Sequence, residues 1–225
     1  MKLSIIIPVL NEEKTIATVI AQAEEVLIPG WEKEIIVVDD GSQDNTENEI
    51  KKFDVQFLKH ETNAGKGAAI KTGIAHSTGD AIIIQDADLE YDPKDWPALL
   101  AKLRDEKIAA VYGSRNLNPG RRGYPHYVLG VAALSVFANL LYGSHLTDVY
   151  TCYKLFRASV LKKINLESNG FEFEAEVTAK LLNSGYQIQE VPIRYYPRSF
   201  DEGKKIRFRD GIIGFWTLLK YKFKK

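Results

Sequence analysis

The 225-residue chain is predicted to fold as an α/β protein with a doubly wound, mainly parallel, Rossmann-like sheet. Short apolar runs rich in β-branched residues, such as residues 3–9 and 34–40, are typical of strands buried on both faces. Segments with helical periodicity follow these runs, and strands that alternate with amphipathic helices indicate a parallel sheet covered by helices. Apolar residues make up 45% of the chain, which is enough to bury a sizeable core.

The predicted elements follow one another in strand–helix order. Strands are predicted at residues 3–9, 34–40, 55–60, 80–85 and 109–114, with helices at 16–27, 46–53, 65–75 and 93–104. The pattern loosens after residue 114, where we expect helix 128–141, strand 148–155, helix 171–184, strand 187–195 and helix 207–225. We therefore divide the chain into a main domain, residues 1–206, and a basic amphipathic C-terminal helix, residues 207–225.

The formal net charge is zero, but the charge is unevenly distributed along the chain. Residues 194–225 hold ten Lys or Arg against three Asp or Glu, a balance of +7. A basic tail on an acidic body predicts an anionic partner, either phosphate or a membrane surface, and we expect no nucleic-acid partner. The apolar face of the terminal helix could lie on a membrane, on the core, or against a second copy in a homodimer.

Cysteine usage and hydropathy predict the compartment. The single cysteine, Cys152, excludes an internal disulfide framework, and we expect it to be a small buried hydrophobe in a reducing compartment. The N-terminus has no signal-peptide pattern, and the apolar stretch 127–142 is shorter than the roughly 20 residues that a spanning helix needs. We therefore expect a cytoplasmic protein, either soluble or peripheral at the cytoplasmic face of a membrane.

Acidic residues follow two of the predicted strands. Asp39 and Asp40 end the second strand, and Asp86, Asp88 and Glu90 follow the fourth, where their alternation would place them on one side of an extended segment. Doubly wound sheets bind ligands beyond the carboxyl ends of their strands. Carboxylates without His or Cys favour Mg²⁺ or Mn²⁺, and such an ion keeps positions open for phosphate oxygens. The pattern predicts a metal site that holds a diphosphate.

The glycine-bearing segment 65–67 is not a phosphate-binding loop. Ala68 stands where such a loop needs a hydroxyl group, and Ile70 stands at the third glycine of the dinucleotide fingerprint. The chain also lacks the H-E-x-x-H and G-x-S-x-G patterns. These observations argue against an NTPase, a dehydrogenase, a zinc protease and a serine hydrolase.

Four motifs occur in the order and spacing of a known family: SIIIPVLNEE at residues 4–13, IIVVDDGS at 35–42, QDADLE at 85–90 and GSR at 113–115. On these motifs the chain resembles the family 2 inverting glycosyltransferases of GT-A fold, and within them the polyprenyl-phosphate glycosyltransferases. Looser matches follow, since residues 147–156 resemble the family's D-x-x-x-G-F-[KR] segment and residues 198–205 its basic acceptor loop.

The resemblance implies roles for individual residues. The donor-binding residues that it implies are Pro8, Leu10, Glu12, Asp39, Asp40, Lys66, Asp86, Ala87, Asp88 and Arg115. The ligands that it implies for Mg²⁺ or Mn²⁺ are Asp86, Asp88 and Glu90. The catalytic residues that it implies are Asp86, Asp88, Arg115 and Asp148, and those for an acceptor phosphate are Arg198, Lys204 and Lys205.

The expected reaction is an in-line displacement at the anomeric carbon of a GDP- or UDP-sugar. A lipid phosphate is already an anionic nucleophile, whereas an alcohol acceptor needs a general base, for which Asp148 is an acidic candidate. We expect a polyprenyl phosphate acceptor, dolichyl or undecaprenyl; a sugar or other hydroxyl acceptor and a non-catalytic nucleotide-binding relative stay open. A sugar nucleotidyltransferase is disfavoured because residues 8–13 are not a glycine-rich basic loop.

Overall fold

The computed structural model of the protein describes residues 1–118, 125–198 and 208–224. The strands within these ranges are β1 (Lys2–Val9), β2 (Glu32–Asp39), β3 (Gln56–Lys59), β4 (Ala81–Ile84), β5 (Ile108–Ser114), β6 (Lys154–Arg157) and β7 (Gln187–Pro192). In the described residues they form one seven-stranded sheet with the order β3-β2-β1-β4-β6-β5-β7. Only β6 runs antiparallel to its neighbours, so the prediction of a mainly parallel sheet is confirmed.

Helices connect most of the strands. They are α1 (Ile16–Glu25), α2 (Thr46–Ile50), α3 (Lys66–His76), α4 (Trp96–Leu103), α5 (Pro125–Tyr142), α6 (Ala158–Leu161), α7 (Phe173–Asn183) and α8 (Phe208–Phe223). A 3₁₀ turn, Pro93–Asp95, leads into α4, and the Asp92 side chain accepts the Lys94 backbone N–H at its start. The helices of the first half begin and end within a few residues of the predicted bounds.

Two hydrophobic cores lie on opposite faces of the sheet, which is the doubly wound arrangement. Side chains of β1 alternate between them, with Ile5 and Ile7 in one core and Ile6 in the other. Buried side chains of α1 and α4 complete the first core, whereas α3, α5, α7 and α8 contribute to the second. Each face of the sheet is therefore covered by helices, and the carboxyl edge between them stays accessible.

The sheet places three loops together. The chain adds β2 and β3 on one side of β1 and then crosses to add β4 on the other side. Val9 is paired with Asp39 and Ile6 with Ile84, so β1, β2 and β4 end at the same edge. The point where the strand order reverses in a parallel sheet opens a crevice beyond the carboxyl ends of the strands, and ligands bind there in such folds.

The strand predicted at 148–155 is wrong in its position, because β6 begins only at Lys154. The Asp148 carboxylate binds Arg115, and the Asp148 carbonyl accepts the Thr151 backbone N–H at 3.3 Å. These bonds fold the segment into a turn before the strand. The domain boundary predicted at residue 206 lies outside the described residues, and α8 packs against α5 and α7.

Candidate active site

Asp40 connects the end of β2 to the start of α3. Its carboxylate accepts the Ala64 and Gly65 backbone N–H groups at 2.9 and 2.8 Å and contacts His60 Nδ1 at 2.7 Å. The side chain is buried. Asp40 therefore shapes the loop that carries Lys66, and its predicted contact with the donor stays a prediction.

Asp39, the neighbouring acid, is only half satisfied. Its Oδ1 atom accepts the Ser42 backbone N–H at 2.9 Å, whereas its Oδ2 atom is buried and has no hydrogen-bond partner among the described residues. A buried acceptor without a partner is costly, so such an atom indicates a missing donor. A base N–H or a ribose hydroxyl has the required chemistry, and the donor-binding role of Asp39 stays a prediction.

The segment after β4 turns instead of extending. Leu89 has a φ of 61°, in the left-handed region, and the Glu90 backbone N–H donates to Asp88 Oδ1 at 3.1 Å. The prediction that alternating acids share one side of an extended segment is therefore wrong. Asp86 and Asp88 remain neighbours at the strand end, whereas the Glu90 side chain is directed to another set of partners.

Glu90 is bonded by the segment that follows β7. Its carboxylate accepts the Tyr195 hydroxyl at 2.9 Å and the Arg198 backbone N–H at 2.7 Å. The Arg198 guanidinium in turn donates to the Asp88 carbonyl at 2.7 Å and pairs with Glu12 at 2.8 Å. Arg198, predicted to face an acceptor phosphate, thus lies beside the acidic turn. Lys204 and Lys205 lie outside the described residues.

Lys66 at the start of α3 neutralises the acidic turn. Its Nζ atom is 2.6 Å from Asp86 Oδ1. Burial opposes the charged form of Lys66, but the charges of Asp86 and Glu174 outweigh it and raise the pKa of Lys66 well above its ordinary value. Burial and the charges of Asp86 and Glu90 raise the pKa of Asp88 to about 7, because Arg198 offsets them only in part.

The Asp86 and Asp88 pair fits a hard divalent cation. In the part of the chain that the structure describes, no three acidic, His or Cys side chains are gathered as a metal site. Mg²⁺ commonly binds proteins through one or two carboxylates and takes its other ligands from water and substrate phosphates. The pKa of Asp88 is raised by burial and by the nearby charge of Asp86, and a divalent cation would relieve both effects. The bonds that engage Glu90 argue against it as a third ligand.

Arg115 is held by a buried carboxylate. Its Nε and Nη2 atoms each donate to Asp148 at 2.8 Å, its backbone N–H donates to the same group at 3.0 Å, and its guanidinium lies 5.2 Å from the centroid of the Tyr195 ring. Both Asp148 oxygens are therefore engaged by a permanently charged partner. This geometry favours a positioning role for Asp148 over the general base considered from the sequence.

Three side chains of the site were not identified from the sequence. Glu174 and Lys154 form a buried pair at 2.6 Å behind Lys66, and Tyr195 bridges Glu90 and Arg115. Lys154 occupies the basic position of the D-x-x-x-G-F-[KR] resemblance, which was the available signal. Cys152 was predicted to be buried, but it is partly exposed; desolvation still raises the pKa of its thiol well above its ordinary value.

The remaining predicted donor residues line the same edge. Pro8 and Ala87 are buried, and Leu10 is partly exposed after β1. A doubly wound sheet with acids and cations at its carboxyl edge, together with the structural match below, defines a GT-A glycosyltransferase fold. Residues 4–165 match glycosyl transferase family 2, and the chain belongs to this family.

The curated relatives that resemble the chain include two named transferases. An undecaprenyl-phosphate mannosyltransferase of Micrococcus luteus is 29% identical over 227 residues, which cover 95% of this chain and 90% of the relative. The low-salt glycan biosynthesis hexosyltransferase Agl6 of Haloferax volcanii is 31% identical over 216 residues, 93% of this chain but only 51% of Agl6. The chain therefore spans about half the length of that relative.

The structural match establishes the fold. Glucosyl-3-phosphoglycerate synthase of Mycobacterium tuberculosis, crystallised with Mn²⁺, UDP and glucosyl-3-phosphoglycerate, matches with a TM-score of 0.77 and 24% identity, over 98% of this chain and 79% of that one. The same enzyme has also been crystallised with Mg²⁺ and UDP. The family resemblance seen in the motifs is confirmed, while the roles of single residues stay predictions.

Proposed function

We propose that the protein transfers a sugar, with inversion, from a UDP- or GDP-sugar to a polyprenyl phosphate. The observation that carries this proposal is the position of Asp86 and Asp88, which lie at the carboxyl edge of the sheet between Lys66 and Arg198. An acidic pair among cations suits a metal-bound diphosphate and a second anion in one cleft. The sequence relative that acts on undecaprenyl phosphate supports the same class of acceptor.

The donor half of the site would use Asp39, Asp86 and Asp88. Asp39 offers a buried carboxylate oxygen to the nucleoside, and the acidic pair would hold Mg²⁺ or Mn²⁺. That ion, when bound, supplies positive charge to the departing diphosphate. Arg115 adds a guanidinium whose orientation Asp148 fixes.

Among the described residues, the acid considered as a base for the acceptor is already engaged. Asp148 is engaged by Arg115 through both of its oxygens, so it is poorly placed to take a proton from an alcohol. A phosphate monoester needs no base because it is already anionic, and Arg198 stands at the turn where it could orient such a group. A lipid phosphate therefore suits the site better than a hydroxyl acceptor.

A transfer assay tests this function. Purified protein is incubated with Mn²⁺, a panel of UDP- and GDP-sugars, and either undecaprenyl phosphate or undecaprenol. We expect transfer to the phosphate alone and a loss of at least about 100-fold in Asp88→Asn, since charge stabilisation in the transition state is removed. The exposed Asp54→Asn, at the amino edge of β3, is the matched control and keeps full activity.

Other results would change the assignment. Transfer to undecaprenol or to a soluble sugar would show a hydroxyl acceptor. Binding of UDP or GDP with Mn²⁺, without transfer to any acceptor or hydrolysis of the donor, would favour a non-catalytic nucleotide-binding relative. Undiminished activity in Asp88→Asn would contradict the metal site.

The outer face of α5 and α8 suits contact with a membrane. On α5 the exposed residues Leu129, Ala133, Val136 and Leu140 recur at helical spacing, and on α8 a matching stripe is formed by Ile212, Trp216, Leu219 and Phe223. Leu140 is 80% exposed and Trp216 is 66% exposed. The helices pack side by side, since the rings of Phe137 and Phe215 lie 5.2 Å apart. We infer that the two stripes form one apolar surface.

Charge favours an anionic lipid surface over a second copy as the partner. Lys222 lies on one side of the α8 stripe and Lys220 and Lys224 on the other, where they share the Glu167 carboxylate at 3.7 and 2.7 Å. Three lysines against one acid form a basic rim, and residues 128–142 of α5 contain no charged residue. Two copies facing each other would bring these lysines together, whereas anionic headgroups would neutralise them. Within the described ranges, no helix has the length and hydropathy that a bilayer span requires.

Vesicle flotation tests the membrane contact. We expect the protein to float with vesicles that contain phosphatidylglycerol and to float less with pure phosphatidylcholine. Trp216→Ser and Leu140→Ser weaken flotation, whereas Leu27→Ser, at an exposed apolar position beyond the end of α1, does not. Absence of flotation, or a dimer in sedimentation analysis that Trp216→Ser dissociates, would contradict the proposal in favour of self-association.

A further inference from the structure

Lys66 stands between two carboxylates and contacts only one of them closely. Its Nζ atom is 2.6 Å from Asp86 Oδ1 and 4.0 Å from Glu174 Oε1. The side chain is 13% exposed, so little water competes for the ammonium group. A small movement of this flexible side chain would exchange one anionic partner for the other.

Only one of the two Glu174 carboxylate oxygens accepts a hydrogen bond within the described residues. Its Oε2 atom accepts from Lys154 at 2.6 Å, whereas its Oε1 atom is buried and finds no hydrogen-bond partner within the described part of the chain. The Glu174 side chain is 2% exposed. A buried oxygen that lacks a donor carries a desolvation cost, which a donated hydrogen bond from Lys66 would remove.

Charge balance explains why such an exchange would be useful. An ammonium group beside Asp86 repels a divalent cation that binds to the same carboxylate, and this repulsion is strong where water is scarce. The negative charge of Glu174 keeps Lys66 protonated as it moves, so no proton has to leave the site. The positive charge would shift from one acid to the next within the same buried cluster.

We propose that Lys66 is an exchangeable counter-ion, which neutralises Asp86 in the metal-free site and turns to Glu174 Oε1 when a divalent cation binds Asp86. The inference rests on the metal site of the proposed function and deepens it. Glu174 then acts as a positioning residue, which sets the metal affinity without contacting the ion. Lys66, and through it Glu174, would adjust the affinity of the Asp86 and Asp88 pair.

Titration of Mn²⁺ tests this exchange without relying on turnover. Binding is measured by calorimetry or by the Mn²⁺ electron paramagnetic resonance signal, with the protein alone and with UDP present. Lys66→Met removes the competing ammonium, so the Kd for Mn²⁺ falls by about tenfold; Glu174→Gln removes the receiving charge, so the Kd rises by about tenfold. Lys71→Met on α3 and Glu172→Gln beside α7 are matched controls and leave the Kd unchanged.

The double variant separates an exchange from a general field effect. In the Lys66→Met background, Glu174→Gln should change the Kd by less than about twofold, because no ammonium remains to be received. An equal effect of Glu174→Gln in both backgrounds, or an unchanged Kd in Lys66→Met, would overturn the exchange. Glu174→Gln should fold, because Lys154 also donates to the Val149 and Thr151 carbonyls.

Failure of the underlying metal site gives a different result. Wild-type protein that binds no Mn²⁺, with or without UDP, would overturn the proposed metal site and the exchange together. Wild-type protein that binds Mn²⁺ with an affinity indifferent to Lys66 would leave the metal site standing and reject the exchange alone.

Discussion

Two cation–carboxylate pairs lie at the same edge of the sheet and are built differently. Arg115 and Asp148 share two side-chain bonds and a backbone bond, and Asp148 is fully buried. Lys66 and Asp86 share a single contact of 2.6 Å, and both side chains are partly exposed. We call the first pair closed, because the planar guanidinium makes two parallel bonds of fixed geometry to one carboxylate. We call the second pair open, because Lys66 makes one contact and has a second carboxylate, Glu174, nearby.

The difference indicates how a binding site can combine rigidity with adjustment. In the closed pair, Asp148 fixes the direction in which the Arg115 guanidinium faces. A cation of fixed orientation suits the stabilisation of negative charge that develops at one position in the transition state. An open pair balances charge when the ligand is absent and can rearrange when it arrives. Both pairs neutralise an acid at the edge of the sheet, so the presence of a pair alone would not distinguish these roles. The number and direction of the bonds within each pair do.

The largest expected effect comes from breaking the closed pair. Asp148→Asn leaves the Arg115 charge, which is only 17% exposed, beside a neutral amide, so we expect a loss of up to about 3 kcal/mol in the free energy of unfolding. Transfer should fall by at least about 100-fold in kcat/KM, because the guanidinium is no longer oriented. Urea unfolding and the transfer assay measure the two losses.

The pH profile distinguishes positioning from base catalysis at Asp148. If Asp148 only orients Arg115, the activity of Asp148→Asn stays low by the same factor from pH 6 to 9. Recovery of activity at high pH, where hydroxide can replace a lost base, would contradict the positioning role. Arg115→Lys should also be poorly active, because an ammonium cannot make the two parallel bonds to Asp148.

A smaller effect is expected from the acid beside the open pair. The pKa of Asp88 is raised to about 7 by burial and by Asp86 and Glu90, whereas an unfolded Asp titrates near 4. Between pH 4 and 7, Asp88 keeps its proton in the folded state and loses it in the unfolded state. The stability linked to this proton is therefore present at low pH and is lost as pH rises through about 7. We expect the free energy of unfolding to fall by at most about 3 kcal/mol between pH 4 and 7.

Urea unfolding at several pH values checks this dependence. Asp88→Asn should remove it, and saturating Mn²⁺ should reduce it, since a cation stabilises the ionised acid. Identical pH profiles for wild-type protein and Asp88→Asn would show that another group titrates.

Sequence patterns predicted the first half of the architecture because β1, β2 and β4 are runs rich in β-branched residues, each followed by a segment of helical period. The acids at the strand ends were found for the same reason, since a parallel sheet brings the carboxyl ends of its strands to one edge. The turn at Leu89 could not be predicted, because a branched apolar residue rarely adopts a positive φ and bonds from Tyr195 and Arg198 to Glu90 hold it there.

Charge pairs between residues distant in the chain could not be predicted from the sequence either. Asp148 looked like a general base because nothing near it in the chain shows that Arg115, 33 residues earlier, takes both of its oxygens. Glu174 lies in an alternating acidic stretch, where periodicity does not reveal which acid is buried. Such long-range charge pairing depends on tertiary packing, which local sequence patterns do not predict.

The smallest effect on stability is expected from a surface ion pair whose N–O distance is as short as in the closed and open pairs but whose side chains are more exposed. Glu47 contacts Lys51 at 2.5 Å and also pairs with Lys59, and these hydrogen bonds lower the pKa of Glu47 to about 2. The stability linked to a lowered acid pKa is present at neutral pH and lost only as pH falls toward 2. Solvent and salt screen an exposed pair, so Glu47→Gln should leave the midpoint of thermal unfolding unchanged at neutral pH, in low and in high salt.

A destabilisation by Glu47→Gln as large as that by Asp148→Asn would contradict this comparison. It would mean that a short N–O distance is enough to stabilise the fold, and that burial and bidentate geometry add nothing in the closed pair.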